Sequence, residues 1–160
     1  MNFLNYKQSY TSTFSTSELR ERITSTLNEQ ILFGLLRNSG ELTDSTFKIK
    51  GVKSTTTKGS FFPVVLGRFE EAEQGTNVDL KITPGLFFYI MEGFALVLIF
   101  LLVISPSTTI NGEPSTLAGR LTFGTFFISI WTLFLGIFTI VAVQLTKNRT
   151  ESILNLTKRK

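Results

Sequence analysis

The sequence contains no cysteine and no histidine. Disulfides, thiolate nucleophiles, imidazole bases and Cys/His zinc sites are excluded together. An acid–base pair or a metal site would have to be built from carboxylates. No two of them stand at a catalytic spacing, and no phosphate-binding loop or nucleophile elbow occurs. The acids Glu70, Glu71 and Glu73 cluster at a turn, where a solvated edge is the simpler reading than a metal site. No catalytic residue, metal or cofactor is therefore expected, and the chain does not read as an enzyme. Charge is also scarce after Pro84, where only Glu92, Glu113 and Arg120 interrupt the chain before Lys147. The opening MNFLNYKQSYTSTF has one lysine and no apolar run, so no cleavable signal is expected.

What is present is uneven. Gly85 to Ile104 forms a 20-residue stretch whose only charge is Glu92, and 14 of its residues are Leu, Ile, Val or Phe. At ~1.5 Å per residue it measures about 30 Å, the thickness of a bilayer's hydrocarbon. Those side chains favour insertion by roughly 4–8 kcal/mol. One central acid opposes it by about 3 kcal/mol. Leu121 to Leu145 is a second stretch of 25 residues with no charge. Between the two lies a polar linker with Ser-Pro, Asn-Gly and Glu-Pro turn signals.

The net charge of +4 does not read as a nucleic-acid footprint. Residues 1–83 carry ten Lys/Arg against nine Asp/Glu, and the excess sits in Lys147, Arg149, Lys158, Arg159 and Lys160. A basic segment beside an apolar one is a topology signal. With no Lys or Arg in the linker before Arg120, both termini are expected in the cytoplasm and the linker outside.

Ahead of the first apolar stretch the patterning is that of an α+β module. Ser15 and Glu18 stand at capping-box spacing, and Leu19, Ile23 and Leu27 follow at intervals of four, which predicts a helix over 16–29. Four strands are predicted after it, over 31–36, 46–52, 61–70 and 76–82, with Asn38-Ser39-Gly40 as a turn. The last alternates most clearly: Val78, Leu80 and Ile82 against Asn77, Asp79 and Lys81. Gln74-Gly75 marks a tight hairpin.

The expected fold is thus one helix on a four-stranded antiparallel meander, followed by a two-helix transmembrane hairpin. Its parts are a polar tail over 1–14, a cytosolic domain over 15–83 and a first span over 84–105 that Pro84 opens with Thr83 as its cap. An external linker over 106–118, a second span over 119–146 and a basic cytosolic tail over 147–160 complete them.

Three sets of residues stand out. Glu92 is an acid inside a span, so it faces protein or water and either carries a proton or cation or hydrogen-bonds the partner helix. An antiparallel hairpin would set it against Gly136 to Thr139. In the second span Ala118, Thr122, Thr125, Ser129, Thr132, Gly136 and Thr139 recur in alternating steps of four and three, the seam of left-handed helix packing. A polar pore lining is the alternative. Lys48, Lys50, Lys53 and Lys58 crowd one strand and its loop, as a solvated face or as a contact for anionic lipid headgroups.

The run Ser60-Phe61-Phe62-Pro63-Val64-Val65-Leu66-Gly67, then Gly75-Thr76-Asn77-Val78, then Pro84 before a span, resembles a group of small bacterial membrane proteins with no assigned activity. The group shares this order of helix, short strands, motif and two spans, and ends in a tail with an acid like Glu151 before Leu-rich residues. Where the group often has Arg-Asn before the serine, this chain has Lys58-Gly59. The resemblance implies a bacterial inner membrane. With the rest, the expected role is a non-enzymatic membrane protein presenting a cytosolic interaction domain, an accessory or assembly subunit. Its partners would be the lipid bilayer and other membrane subunits or itself. The alternative is a small homo-oligomeric channel or transporter using Glu92.

Overall fold

A computed structural model describes residues 5–28, 30–31, 36–53, 63–105, 109–110 and 112–159. The chain divides into two compact units, one of Met1–Phe87 with Thr139–Lys160 and the other of Phe88–Phe138. The first is α+β and the second consists mainly of helix.

The first unit is built on an antiparallel sheet. Six strands of three or more residues take part, β1 (Tyr6–Ser12), β3 (Leu36–Leu42), β4 (Thr46–Lys53), β5 (Val64–Glu71), β6 (Thr76–Thr83) and β9 (Leu156–Lys158). A two-residue strand, β2 (Gln30–Ile31), adds to one edge, and the order is β2-β3-β4-β5-β6-β1-β9. The expected strands over 46–52, 61–70 and 76–82 correspond to β4, β5 and β6, whereas the one expected over 31–36 does not, since β3 starts at Leu36 and residues 32–35 lie outside the described ones. Two further strands, β1 and β9, lie in segments expected as tails. β1 pairs with β6 from Tyr6↔Ile82 to Ser12↔Thr76. On its other side it pairs with β9 from Tyr10↔Lys158 to Ser12↔Leu156. The reading missed β1 because its inward positions are Tyr6, Gln8, Tyr10 and Ser12. Their alternation is one of polarity within polar residues, which a hydrophobic pattern does not register.

Asn38-Ser39-Gly40, expected as a turn, lies within β3. A register shift between Arg37 and Ser39 bends the strand there. A Cβ at Gly40 would overlap the Lys48 carbonyl oxygen and fall 2.6 Å from Leu27. The glycine serves a close approach of strand and helix, the alternative meaning of glycine in a strand. Gly75 does sit in a turn, with φ of 83° and the Ser12 carbonyl oxygen where a Cβ would stand.

Helix α1 (Thr16–Asn28) begins where the capping box placed it. The Ser15 amide donates to Glu18 Oε2 at 2.8 Å and the Glu18 amide to Ser15 Oγ at 3.3 Å. The Ser15 amide, and then the Ser15 hydroxyl, which donates to Oε2 at 2.9 Å, hold the Glu18 carboxyl below its ordinary pKa. Leu19 and Ile23 are buried in one core with Phe47, Val65, Phe69, Val78, Leu80 and Ile82. Val143 and Leu154, from the C-terminal end of the chain, complete that core. Burying each such side chain contributes about 1.5–3 kcal/mol. The opposite sheet face carries Lys7, Ser9, Arg68, Asp79 and Lys81 and no covering helix among the described residues.

In the second half of the chain, α2 (Leu86–Ile104) starts two residues after Pro84, and α3 runs from Leu117 to Ile153. Two-residue strands β7 (Thr109–Ile110) and β8 (Glu113–Pro114) pair between them. Both helices are long and apolar enough to cross a membrane. At 37 residues α3 measures ~55 Å, well beyond the ~30 Å a span requires. The segment from Lys147, expected as a basic tail, is the end of this helix followed by β9.

Candidate functional site

Two constellations of polar side chains stand out, one in each unit. In the helical unit, α2 turns Phe88, Glu92, Ala95 and Ile99 away from the exposed surface, a 4-3-4 spacing. α3 does the same with Gly124, Trp131, Thr132 and Leu135. A Cβ on Gly124 would lie 3.0 Å from Ile99 Cγ2, so the glycine permits the close passage of the two helices there.

On this face Thr132 Oγ1 donates to Glu92 Oε1 at 2.8 Å. The other carboxyl oxygen, Oε2, is buried and has no hydrogen-bond partner among the described residues. The same holds for the indole nitrogen of Trp131, whose ring stacks on Phe127 at 6.2 Å. An acceptor and a donor, on facing helices and one residue apart from the Thr132 contact, are thus both left with hydrogen-bonding capacity. At the far end of the pair, Arg120 Nη1 donates to the Ser105 carbonyl, which closes the C-terminus of α2 with a cation.

The expected partner of Glu92 was the Gly136–Thr139 face, and the observed one is Thr132. Thr132 lies four residues before Gly136 and seven before Thr139 on α3, so helix ends do not fix the depth at which the two helices meet. Burial changes along the expected seam. Ala118, Thr122, Thr125 and Ser129 are exposed, Thr132 and Gly136 half-buried, and Thr139 buried. Ser129 Oγ bonds its own helix at the Thr125 carbonyl. A strict heptad repeat drifts ~20° per heptad around a straight helix. Over the three heptads from Ala118 to Thr139 the stripe therefore leaves the contact face at one end. Among the described residues, no atom outside its own stretch of helix stands within 4 Å of a Cβ built on Gly136.

In the α+β unit a polar chain joins β1 to the last turns of α3. Tyr10, 1% exposed, donates from its hydroxyl to Glu151 Oε1 at 2.5 Å. With that proton committed, Tyr6 donates to the Tyr10 oxygen at 2.6 Å. Lys147 Nζ lies 3.8 Å from Glu151 Oε1 and 5.1 Å from the centre of the Tyr6 ring. Burial, then the bonds to Glu151 and Tyr6, push the Tyr10 phenol far above its ordinary pKa. Beside it Ser12 Oγ donates to the Leu154 carbonyl at 2.7 Å, satisfying an orphan at the helix end. No pattern in the sequence pointed to this chain of contacts. Glu151 entered only through the family resemblance, with no role attached.

Of the four crowded lysines, Lys48 and Lys50 lie half-buried on β4, and Lys53 ends that strand. Lys58 lies outside the described residues. No protein-family model matches the chain, and no curated protein or solved structure matches it either.

Proposed function

We propose that the chain is a two-span protein of the bacterial inner membrane, with both termini in the cytoplasm. It presents its α+β unit there as a non-enzymatic interaction domain, an accessory or assembly subunit of a membrane complex. One observation carries the membrane reading. Every exposed large hydrophobic side chain among the described residues lies on α2 or α3. The α+β unit buries its own in a single core. A water-soluble protein does not leave apolar surface of that extent bare, whereas lipid covers it without cost.

The pairing of β9 with β1 supports the hairpin topology, because it sets residues 6–12 and 156–158 in one sheet. The lysines and arginines after the second span support the cytoplasmic side. The interaction role draws on a sequence without cysteine or histidine and a sheet with one uncovered face. Membranes washed with alkaline carbonate should retain the chain, and purification in mild detergent should bring one or more membrane proteins with it in fixed proportion. A chain released by carbonate is no membrane protein. One recovered alone from detergent at every expression level is no accessory subunit.

A second reading has its own observation. Glu92 Oε2 is buried and has no hydrogen-bond partner among the described residues, as a proton or cation site in an oligomeric channel would have it. Glu92→Gln separates the two. As a packing residue it tolerates the amide, which still accepts from Thr132, and complex formation persists. As a carrier of a proton or cation it loses its function, and ion flux into vesicles holding the purified chain falls to background.

A further inference from the structure

The sheet register assembles a basic row that the sequence does not show. On the uncovered face Lys7 stands opposite Lys81, Lys81 opposite Leu66, and Leu66 opposite Lys48. The row thus crosses β1, β6, β5 and β4 and ends on Glu41, the neighbour of Lys48 on β3. Like charges directly opposite one another destabilise a sheet. In the next row on the same face Asp79 stands opposite Arg68, one charge of each sign. Ser9 Oγ donates to Asp79 at 2.5 Å, and Arg68 also pairs with Glu70, one row further on, at 2.6 Å. Lys7, Lys48 and Lys81 make no ion pair among the described residues. A hollow of about 380 Å³ is lined by Leu66, Lys48, Lys81 and Arg68, together with Glu41 and Asp79. The face therefore holds a row of three lysines and one acid, net positive, with no ion pair on the lysines among the described residues, beside an apolar floor.

From this charge pattern we infer that the uncovered sheet face docks the anionic phospholipid headgroups of the membrane the chain spans. The inference rests on the two-span reading and specifies one partner of the interaction domain. Lysine ammoniums meet phosphate as point charges, and Leu66 accepts the glycerol and first methylenes. Lys81 precedes Leu86, the first residue of α2, by five residues. An extended chain of that length reaches at most ~17 Å, so the row is tethered close to the headgroup layer. Lys48 was legible as a lipid contact in the sequence. Its companions come from β1 and β6, which only the pairing brings beside it.

Full-length chain in nanodiscs of phosphatidylcholine, with or without phosphatidylglycerol, is pulsed with a neutral amine-acylating reagent. Modification of each lysine is read by mass spectrometry. Lys7, Lys48 and Lys81 should react about fivefold more slowly with phosphatidylglycerol present, the factor for one lysine at an anionic surface. Lys158, opposite Tyr10 and hence on the other face, should change little. The difference should vanish in 1 M salt, where the Debye length is ~3 Å. In a chain with Lys7→Gln and Lys81→Gln, Lys48 should lose its protection. Equal rates in the two kinds of disc overturn the inference. So does slowing reproduced by inorganic phosphate in phosphatidylcholine discs, which would make the occupant a soluble anion. Failure to enter nanodiscs and release by carbonate would instead overturn the two-span reading itself.

Discussion

Tyr10 shows how one buried hydroxyl ties distant parts of the chain together. It sits on the first strand and bonds an acid 141 residues later. Tyr10→Phe keeps the ring and removes the bond, leaving Glu151 with Lys147 alone. Breaking a buried hydrogen bond to a charged group costs about 1–3 kcal/mol, and that loss should appear in denaturant unfolding of the detergent-solubilised protein. The same residue predicts a pH dependence. Its folded pKa is raised, so its stabilising contribution is fully present below the unfolded value of ~10 and declines as pH rises above it. The wild type should lose stability above pH ~10 faster than Tyr10→Phe, and parallel pH profiles would remove Tyr10 from this role. Glu92 offers a contrast at the same scale. An acid in an apolar run announces itself in the sequence, because little else there is polar. Tyr10 is hidden among Ser, Thr, Gln and Tyr, where polarity carries no signal about direction.

Among the elements, those with strong periodic patterns were legible and those held by their partners were not. α1 and β4 to β6 follow from alternation, helical spacing and the capping box. β6 makes this testable. Leu80 is 1% exposed and Asp79 lies on the open face. Leu80→Ala should cost about 2–5 kcal/mol through lost burial and a cavity. Asp79→Ala, which loses a solvent-exposed bond from Ser9, should cost no more than ~1 kcal/mol. Equal costs would mean a register slipped by one residue. β9 is the opposite case. Three residues, Leu156 to Lys158, have no intrinsic reason to be a strand, and they become one because β1 offers an open edge beside the end of α3. The left-handed Asn155, with φ of 48°, turns the chain into that position, and its side chain bonds Thr13 Oγ1 at 2.8 Å. The heptad stripe on α3 is visible in the sequence for its spacing alone; in the single chain Thr132 meets Glu92, while Ala118, Thr122, Thr125 and Ser129 stand exposed.

For the whole molecule, the closure of β9 on β1 constrains topology in a way that charge counting alone does not. If the chain crossed the bilayer once, residues 156–158 would be on the side opposite residues 6–12. The strand pairing, the Tyr10–Glu151 bond and the burial of Leu154 would then all be lost together. Leu154→Ala alone removes about 2–5 kcal/mol of such contacts, so a single-span arrangement forfeits more than that. Two crossings or none are the arrangements compatible with the sheet. The exposed apolar surface of both helices favours the two crossings proposed above, since each of those side chains favours lipid. On that proposal the positive residues beyond Leu145 put both termini in the cytoplasm. A fluorescent protein fused to the C-terminus should therefore be bright, and alkaline phosphatase inserted at Gly112 should be active. Phosphatase fused to the C-terminus should be inactive. If it were active there while the insertion at Gly112 was silent, the orientation would be inverted with the hairpin intact. Activity of the C-terminal fusion together with fluorescence of an N-terminal one would mean a single crossing, and the sheet could not contain β9.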